Sequence, residues 1–264
     1  MRLTVIGCAG SYPGPDSPAS CYLVEAEGPD ATGEVRTWRI LLDLGNGALG
    51  MLHRYADPLT VDAVLLSHLH ADHCLDLCGF YVLRKYHPTG PQPRIPVFGP
   101  AGTAARMARA YDLPEEPGMS EEFDFHAYPE DGTPVEVGPF RIQPVRVEHP
   151  VPAYSLRVRA DGAVLTYSGD SGMCEGLERA AQGADLLLAE AAFCDGEDNP
   201  DGIHLTGTDV GILAKRAGVD RLVLTHVPAW HDPQVAHDEA RAVWDGPLDV
   251  ARVGSTYDLP PVAS

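Results

Sequence analysis

The chain has 264 residues, 44% of them apolar, with 38 acidic against 19 basic side chains and a formal charge of −19. So apolar a chain can bury a core without a disulfide framework, and its six scattered cysteines read as free, mostly buried thiols. A field this negative opposes long nucleic acids, which bind through Lys and Arg at their phosphates, and the lack of an apolar run of about eighteen residues excludes a membrane-spanning helix.

The first residues, MRLTVIG, read as a strand over 2–6. They lack the basic start and cleavage site of a secretory leader, so a cytoplasmic protein is expected. A Gly/Pro/Ser-rich loop over 7–19 leads to strands over 21–26 and 35–44, with the turn GPDATG between them. The buried run AVLL, 63–66, is a short strand ending in SHLHADHCLDL. From His73 to Tyr86 the apolar spacing is helical until Pro88 stops it. Cys74 and Cys78 are neighbours on that helix, and without a second such pair they make no structural zinc site. IPVFG at 95–99 reads as a strand, 103–111 as a helix and 114–122 as a Pro/Glu-rich loop.

Strands are expected over 122–128, 134–148, 154–160 and 163–168, then a helix over 173–182 and a buried strand over 185–190. A helix over 206–217, a strand over 221–225, a helix over 233–243 and a strand over 248–253 follow, and the last six or so residues read as a loose tail. Strands and helices alternate in both halves without the regular beat of a βα barrel. The expectation is an α/β fold of two sheets packed face to face with helices outside, forming one unit over 1–264.

Chemistry concentrates in H-x-H-x-D-H, which is His68, His70, Asp72 and His73, where a buried strand gives way to a helix. Two imidazoles on one side and a carboxylate–imidazole pair on the other suit two neighbouring metals. Completions stand just after apolar strands: His149 after IQPVRVE, Asp170 in the turn SGDSG, and His226 after RLVLT. Alone, each would read as a capped or surface residue; together they read as ligands gathered at one edge of the fold. No G-x-S-x-G elbow or Walker loop occurs, so serine hydrolysis and P-loop chemistry find no support. His53, His87, His126, His231 and His237 belong to no motif and are expected at the surface or at helix ends. The acidic stretch DGEDNPDG, 195–202, reads as a solvated lid rather than a metal site.

This set resembles the metallo-β-lactamase fold, a four-layer αββα sandwich. SHLHADH matches its first motif, His149 its third-histidine motif, and SGD and LTH its later ones. The similarity is closest to the phosphodiesterase branch that includes ribonuclease Z, through GCAGSYPGPDSPAS, HPVPAYSLRV, LLAEAAF and HLTGTDVGILAKRAG, and it spans nearly the whole chain. The Gly-His-Thr-Pro-Gly motif of glyoxalase-type members is absent. The resemblance implies that His68, His70 and His149 hold one metal and Asp72, His73 and His226 the other, with Asp170 bridging. Two divalent ions are implied, zinc by default, with manganese or iron compatible with the same ligands. A metal-bridging hydroxide would attack phosphorus in line. His204 would act as general acid or phosphate clamp, Glu190 would orient it, and Asp72 would help to orient the nucleophile.

Arm-bearing ribonuclease Z has a long insertion between the third histidine and the bridging aspartate. Here His149 and Asp170 are only 21 residues apart (170 − 149), room for two strands and a turn. The missing arm and the acidic surface point away from tRNA and towards a small phosphodiester. GPDSPAS, SHLHADHCLDL, KYHP, YSGD and LTHVPAW resemble actinobacterial cyclic-nucleotide phosphodiesterases of this fold. The expected activity is hydrolysis of cAMP to 5′-AMP, with loop 11–19 and the Pro228–Asp232 loop, including Trp230 and His231, bordering the base. An RNA 3′-end phosphodiesterase without the arm, a hydrolase of another small ester or a lactone, and a non-catalytic cyclic-nucleotide-binding protein stay open. A homodimer is implied by the branch alone.

Overall fold

The computed structural model describes residues 1–259; of the expected tail only Leu259 lies within them, and it is buried. The N-terminal half runs β1 (Arg2–Gly7), β2 (Ala9–Gly10), β3 (Cys21–Pro29), β4 (Val35–Leu42), α1 (Ala48–Leu52), β5 (Ala63–Leu65), α2 (Ala71–Cys74), α3 (Leu77–Lys85), β6 (Ile95–Gly99), α4 (Thr103–Ala110) and β7 (Phe123–Ala127). The C-terminal half runs β8 (Val135–Val137), β9 (Phe140–Val147), β10 (Ala153–Ala160), β11 (Ala163–Tyr167), α5 (Glu175–Ala181), β12 (Leu186–Glu190), α6 (Gly207–Ala217), β13 (Leu222–Thr225), β14 (Val227–Pro228), α7 (Pro233–Val243), β15 (Leu248–Val250) and β16 (Thr256–Asp258).

The strands form two seven-stranded sheets, ordered β16-β1-β3-β4-β5-β6-β7 and β15-β13-β12-β11-β10-β9-β8. Alternation decides which face of each strand goes where. In β1, Leu3 and Val5 enter the core between the sheets, while Ile6 faces the helices. In β12, Leu186 and Leu188 face the other sheet, while Leu187 and Ala189 face α5 and α6. Leu52, Leu77, Phe80 and Met107 cover the outer face of the first sheet, and Leu177, Val210, Leu213 and Ala240 that of the second. The result is the four-layer αββα sandwich. Each fully buried Leu or Val in these layers contributes roughly 1.5–3 kcal/mol of burial free energy. Among the described residues no helix is long and apolar enough to cross a membrane.

Some expected elements are divided. The helix read over 73–86 breaks at Leu75–Asp76, because Asp76 is engaged outside it: its N–H donates to Leu44 O (3.1 Å) and its carboxylate accepts from Leu49 N (2.8 Å). The strand read over 134–148 is the β8–β9 hairpin, turning at Gly138 (φ +53°). The strand read over 248–253 stops at Val250. The β2–β14 pair, α1 and β16 were not anticipated. All six cysteines are free.

β4 and β5 run parallel, as do β11, β12 and β13, and β9 runs with β11 because β10 is antiparallel to both. The carboxyl ends of these strands therefore meet along one edge of the sandwich, where the polar motifs follow them.

Candidate metal centre

After β5 the chain delivers Ser67 and His68, both buried, and then His70 at the start of the one-turn helix α2. Asp72 and His73 stand buried within that turn. His149 follows β9, Asp170 follows β11 through Ser168–Gly169, and His226 follows β13. Gly169 (φ +62°) has no room for a Cβ, which would come within 2.8 Å of Tyr154 O and 2.9 Å of Ser67 Cβ. That close approach seats Asp170 against the first motif. His226 adopts φ +56°, unusual for a non-glycine residue, and its carbonyl rests on Gly10.

The seven residues proposed as ligands converge in two sets. His68, His70, His149 and Asp170 place one donor atom each within 4.8 Å of the others, and Asp72, His73, Asp170 and His226 do the same. In the first set His68 Nε2 lies 2.9 Å from His70 Nδ1 and 3.6 Å from Asp170 Oδ2, and His149 Nε2 lies 3.3 Å from His70 Nδ1. In the second, His73 Nε2 lies 3.4 Å from Asp72 Oδ2 and 3.2 Å from Asp170 Oδ1, and His226 Nε2 lies 3.4 Å from Asp170 Oδ2. Ligands about 2.0–2.1 Å from a tetrahedral centre stand about 3.3 Å apart. His73 Nε2, His226 Nε2 and Asp170 Oδ1 are buried without a hydrogen-bond partner among the described residues, a costly arrangement that a cation would relieve. Donor set, spacing and orphaned atoms suit a dimetal site with Asp170 common to both sets.

The second nitrogen of four histidines is held by the protein, which fixes ring orientation and tautomer. His73 Nδ1 donates to Asp43 Oδ2 (2.7 Å) and His149 Nδ1 to Ile203 O (3.0 Å). His226 Nδ1 lies 2.9 Å from Ser20 Oγ, and His68 Nδ1 lies 3.1 Å from Ser67 Oγ. His70 differs by presenting Nδ1 to the cluster. Asp43 escaped the sequence reading, which placed it inside a strand. It is fully buried at φ +60° and accepts from Ser67 N (2.6 Å), Ser67 Oγ (2.7 Å) and Tyr167 OH (2.7 Å) as well as His73. The only trace in the sequence is LLDLG, a carboxylate closing an apolar run.

Burial holds His68, His70, His149 and His226 below the ordinary imidazole range, which favours the neutral, ligating form. Burial alone would raise Asp170, but His226, His73 and His68 outweigh it and keep the carboxyl well below its usual range. Burial opposes charge on His73 too, yet the carboxylates of Asp170 and Asp43 lift it well above its usual value.

Glu190, fully buried at the end of β12, accepts from Ser171 N (2.8 Å) and faces His204 Nδ1 at 2.9 and 3.0 Å through its two oxygens. Burial lowers the His204 pKa, but the Glu190 charge and hydrogen bond prevail and lift it to about 9. The His204 ring lies 5.6 Å from that of His149 and 5.8 Å from that of His226, between the two ligand sets. Its Nε2 has no partner among the described residues.

A cleft of about 370 Å³ opens beside His70, lined by Leu69, Pro100, Val151 and Pro152, with Arg106 on its wall. The loops expected to border a base instead line a cleft of about 550 Å³ that takes in no ligand residue. Trp230 (59% exposed) packs on Tyr12 (47% exposed), centroids 5.4 Å apart, and His231 turns towards Cys194.

A family profile described as "Beta-lactamase superfamily domain" matches residues 38–227. The uncharacterized protein ML1173 of Mycobacterium leprae is 45% identical over 262 residues, 98% of this chain and 89% of its own length. Ribonuclease Z of Myxococcus xanthus is 28% identical over 314 residues, covering 98% of each chain. The crystal structure of the metallo-β-lactamase fold protein YhfI from Bacillus subtilis superposes with a TM-score of 0.81 at 26% identity, covering 97% of this chain and 98% of that one.

Proposed function

Because the chain belongs to the metallo-β-lactamase superfamily of metal-dependent hydrolases, we propose that it opens 3′,5′-cyclic AMP to 5′-AMP with a pair of divalent ions, zinc first among the candidates. The observation that carries this reading is the connection between His149 and Asp170. β10 and β11 pair down to Ala160 and Ala163 and turn on Asp161–Gly162 alone, at φ +53° and +77°, the two-residue turn that matches strand twist. Nothing projects there to grip a macromolecule, and the charge of −19 opposes one. A small cyclic diester fits the His70 cleft, where Arg106 offers a cation.

His68, His70 and His149 would hold one ion, and Asp72, His73 and His226 the other, with Asp170 shared. When bound, such a pair supplies Lewis acidity and water of lowered pKa. The protein's part is positional. Asp43, Ser67, Ser20 and the Ile203 carbonyl lock four imidazole rings. Glu190 keeps the proton on His204 Nδ1, so that Nε2–H is free to protonate the departing 3′ oxygen as general acid. Asp72, buried in the first turn of α2, would accept a hydrogen bond from the attacking water.

The similarity to Myxococcus xanthus ribonuclease Z favours a second reading, cleavage at RNA 3′ ends. Metal-reconstituted protein assayed against cyclic mononucleotides, bis(p-nitrophenyl) phosphate and a pre-tRNA separates the two. We expect 5′-AMP from cAMP; rapid pre-tRNA trimming with inert cAMP would overturn the proposal. Binding of cAMP without product would mark a binding protein instead.

A further inference from the structure

Away from the dimetal cluster, Cys194, Glu197 and His231 bring a sulfur, a carboxylate oxygen and an imidazole nitrogen within 4.8 Å of one another. The sequence suggests a solvated lid over 195–202 and a place for His231 at the border of a base, with no link between the two. In the structure two loops meet here. Beyond β12 the chain reaches Phe193, whose N–H donates to Leu205 O (3.0 Å) and which bridges to Thr206, so the excursion from Cys194 to His204 starts and returns at one point. His231 comes from the loop after β14, anchored by its N–H on Pro228 O (2.9 Å). Cys194 Sγ lies 3.0 Å from His231 Nδ1 and has no other side-chain partner among the described residues. Asn199 Nδ2 donates to Cys194 O (2.8 Å) and ties the loop back to the Cys194 backbone.

The donor chemistry is specific. Thiolate, imidazole and carboxylate together suit zinc-class cations, whereas magnesium and calcium take oxygen ligands. For bonds of about 2.3 Å to sulfur and 2.0–2.1 Å to nitrogen, a tetrahedral S···N edge is roughly 3.5 Å, so about half an ångström of movement would seat an ion. Glu197, Asp198 and Asp201 crowd the same loop with negative charge and draw cations to it. Burial and the neighbouring acids Glu239, Glu197 and Asp195 hold the Cys194 thiol protonated, a state that a coordinating cation reverses.

We propose that Cys194, Glu197 and His231 form a third cation site, of the zinc class, that clips the 194–204 excursion to the 229–232 loop. The excursion ends at His204, so an ion here steadies the approach of that imidazole to the dimetal centre. The site stands whatever the substrate.

Cobalt loading of the full chain tests it. None of the seven dimetal residues is a cysteine, and no other cysteine belongs to a cluster of candidate ligands among the described residues. A thiolate-to-cobalt charge-transfer band in the near ultraviolet therefore reports this site alone. The wild-type chain should show the band, and Cys194→Ser should lose it together with one ion per chain, keeping the dimetal pair. Glu197→Gln, at an exposed position, should need more cobalt to reach the same band. A wild-type chain without the band, or a Cys194→Ser chain with the band or with unchanged metal content, would overturn the proposal.

Discussion

His204 turns one ring nitrogen to both oxygens of Glu190, at 2.9 and 3.0 Å, and leaves the other without a partner among the described residues. Such a residue holds a proton and is no member of the two ligand sets. His204→Ala should keep both ions and lower turnover about 10²–10⁴-fold. Elemental analysis beside kcat checks this, and a variant that lost an ion would place His204 among the ligands.

The same pair predicts a basic limb in the pH profile. The His204 pKa rises from 6.5 to about 9 in the fold, so the folded chain holds this proton more tightly than the unfolded one. The stabilisation is fully present below 6.5 and is lost as pH rises through about 9. Turnover that uses Nε2–H should fall over the same window. Two bound cations draw the midpoint down, so the limb should lie at or below about 9. A pH–rate profile of His204→Ala should lack it.

Asp43 gathers Ser67, His73 and Tyr167 from three separate segments of the chain. Asp43→Ala strands those buried donors and should cost about 3–5 kcal/mol in denaturant unfolding. Asp43→Asn should weaken metal affinity about 10–100-fold by loosening the His73 ring. Tyr167→Phe removes one donor and should cost about 1 kcal/mol. Chelator competition beside unfolding curves separates these effects, and unchanged affinity in Asp43→Asn would remove Asp43 from the site.

Asp170 is common to both sets, so Asp170→Ala should bind neither ion tightly. Ions at about a hundred times their Kd stabilise the wild-type fold by about 2.7 kcal/mol each. A chelator should therefore lower the wild-type Tm and leave that of Asp170→Ala nearly unchanged. Retention of two ions per chain by the variant would rule out the shared role.

The layered fold was legible because apolar runs alternate in strands and recur helically between them. The histidine motif was legible because its members stand within six residues, and its completions because each follows an apolar strand. Asp43 was not, since a single carboxylate has no spacing and its partners lie 24 to 124 residues away. Cys194 and His231, 37 residues apart, were hidden for the same reason. The break at Asp76 depends on Leu44 and Leu49, which no helical period reveals. Two-residue strands such as β2 and β14 are too short to show alternation.

The candidate metal centre straddles the sandwich. His68, His70, Asp72 and His73 follow a strand of one sheet, and His149, Asp170 and His226 follow strands of the other. The first sheet itself waits for β16, which pairs with β1 through Leu3 and Tyr257. The outer edge of β1 thus stays open until the segment around Tyr257 has been made. An amino-terminal half, though it holds four of the seven candidate histidine and aspartate ligands, would be a poor chelator, and metal loading waits for the segment that carries His226.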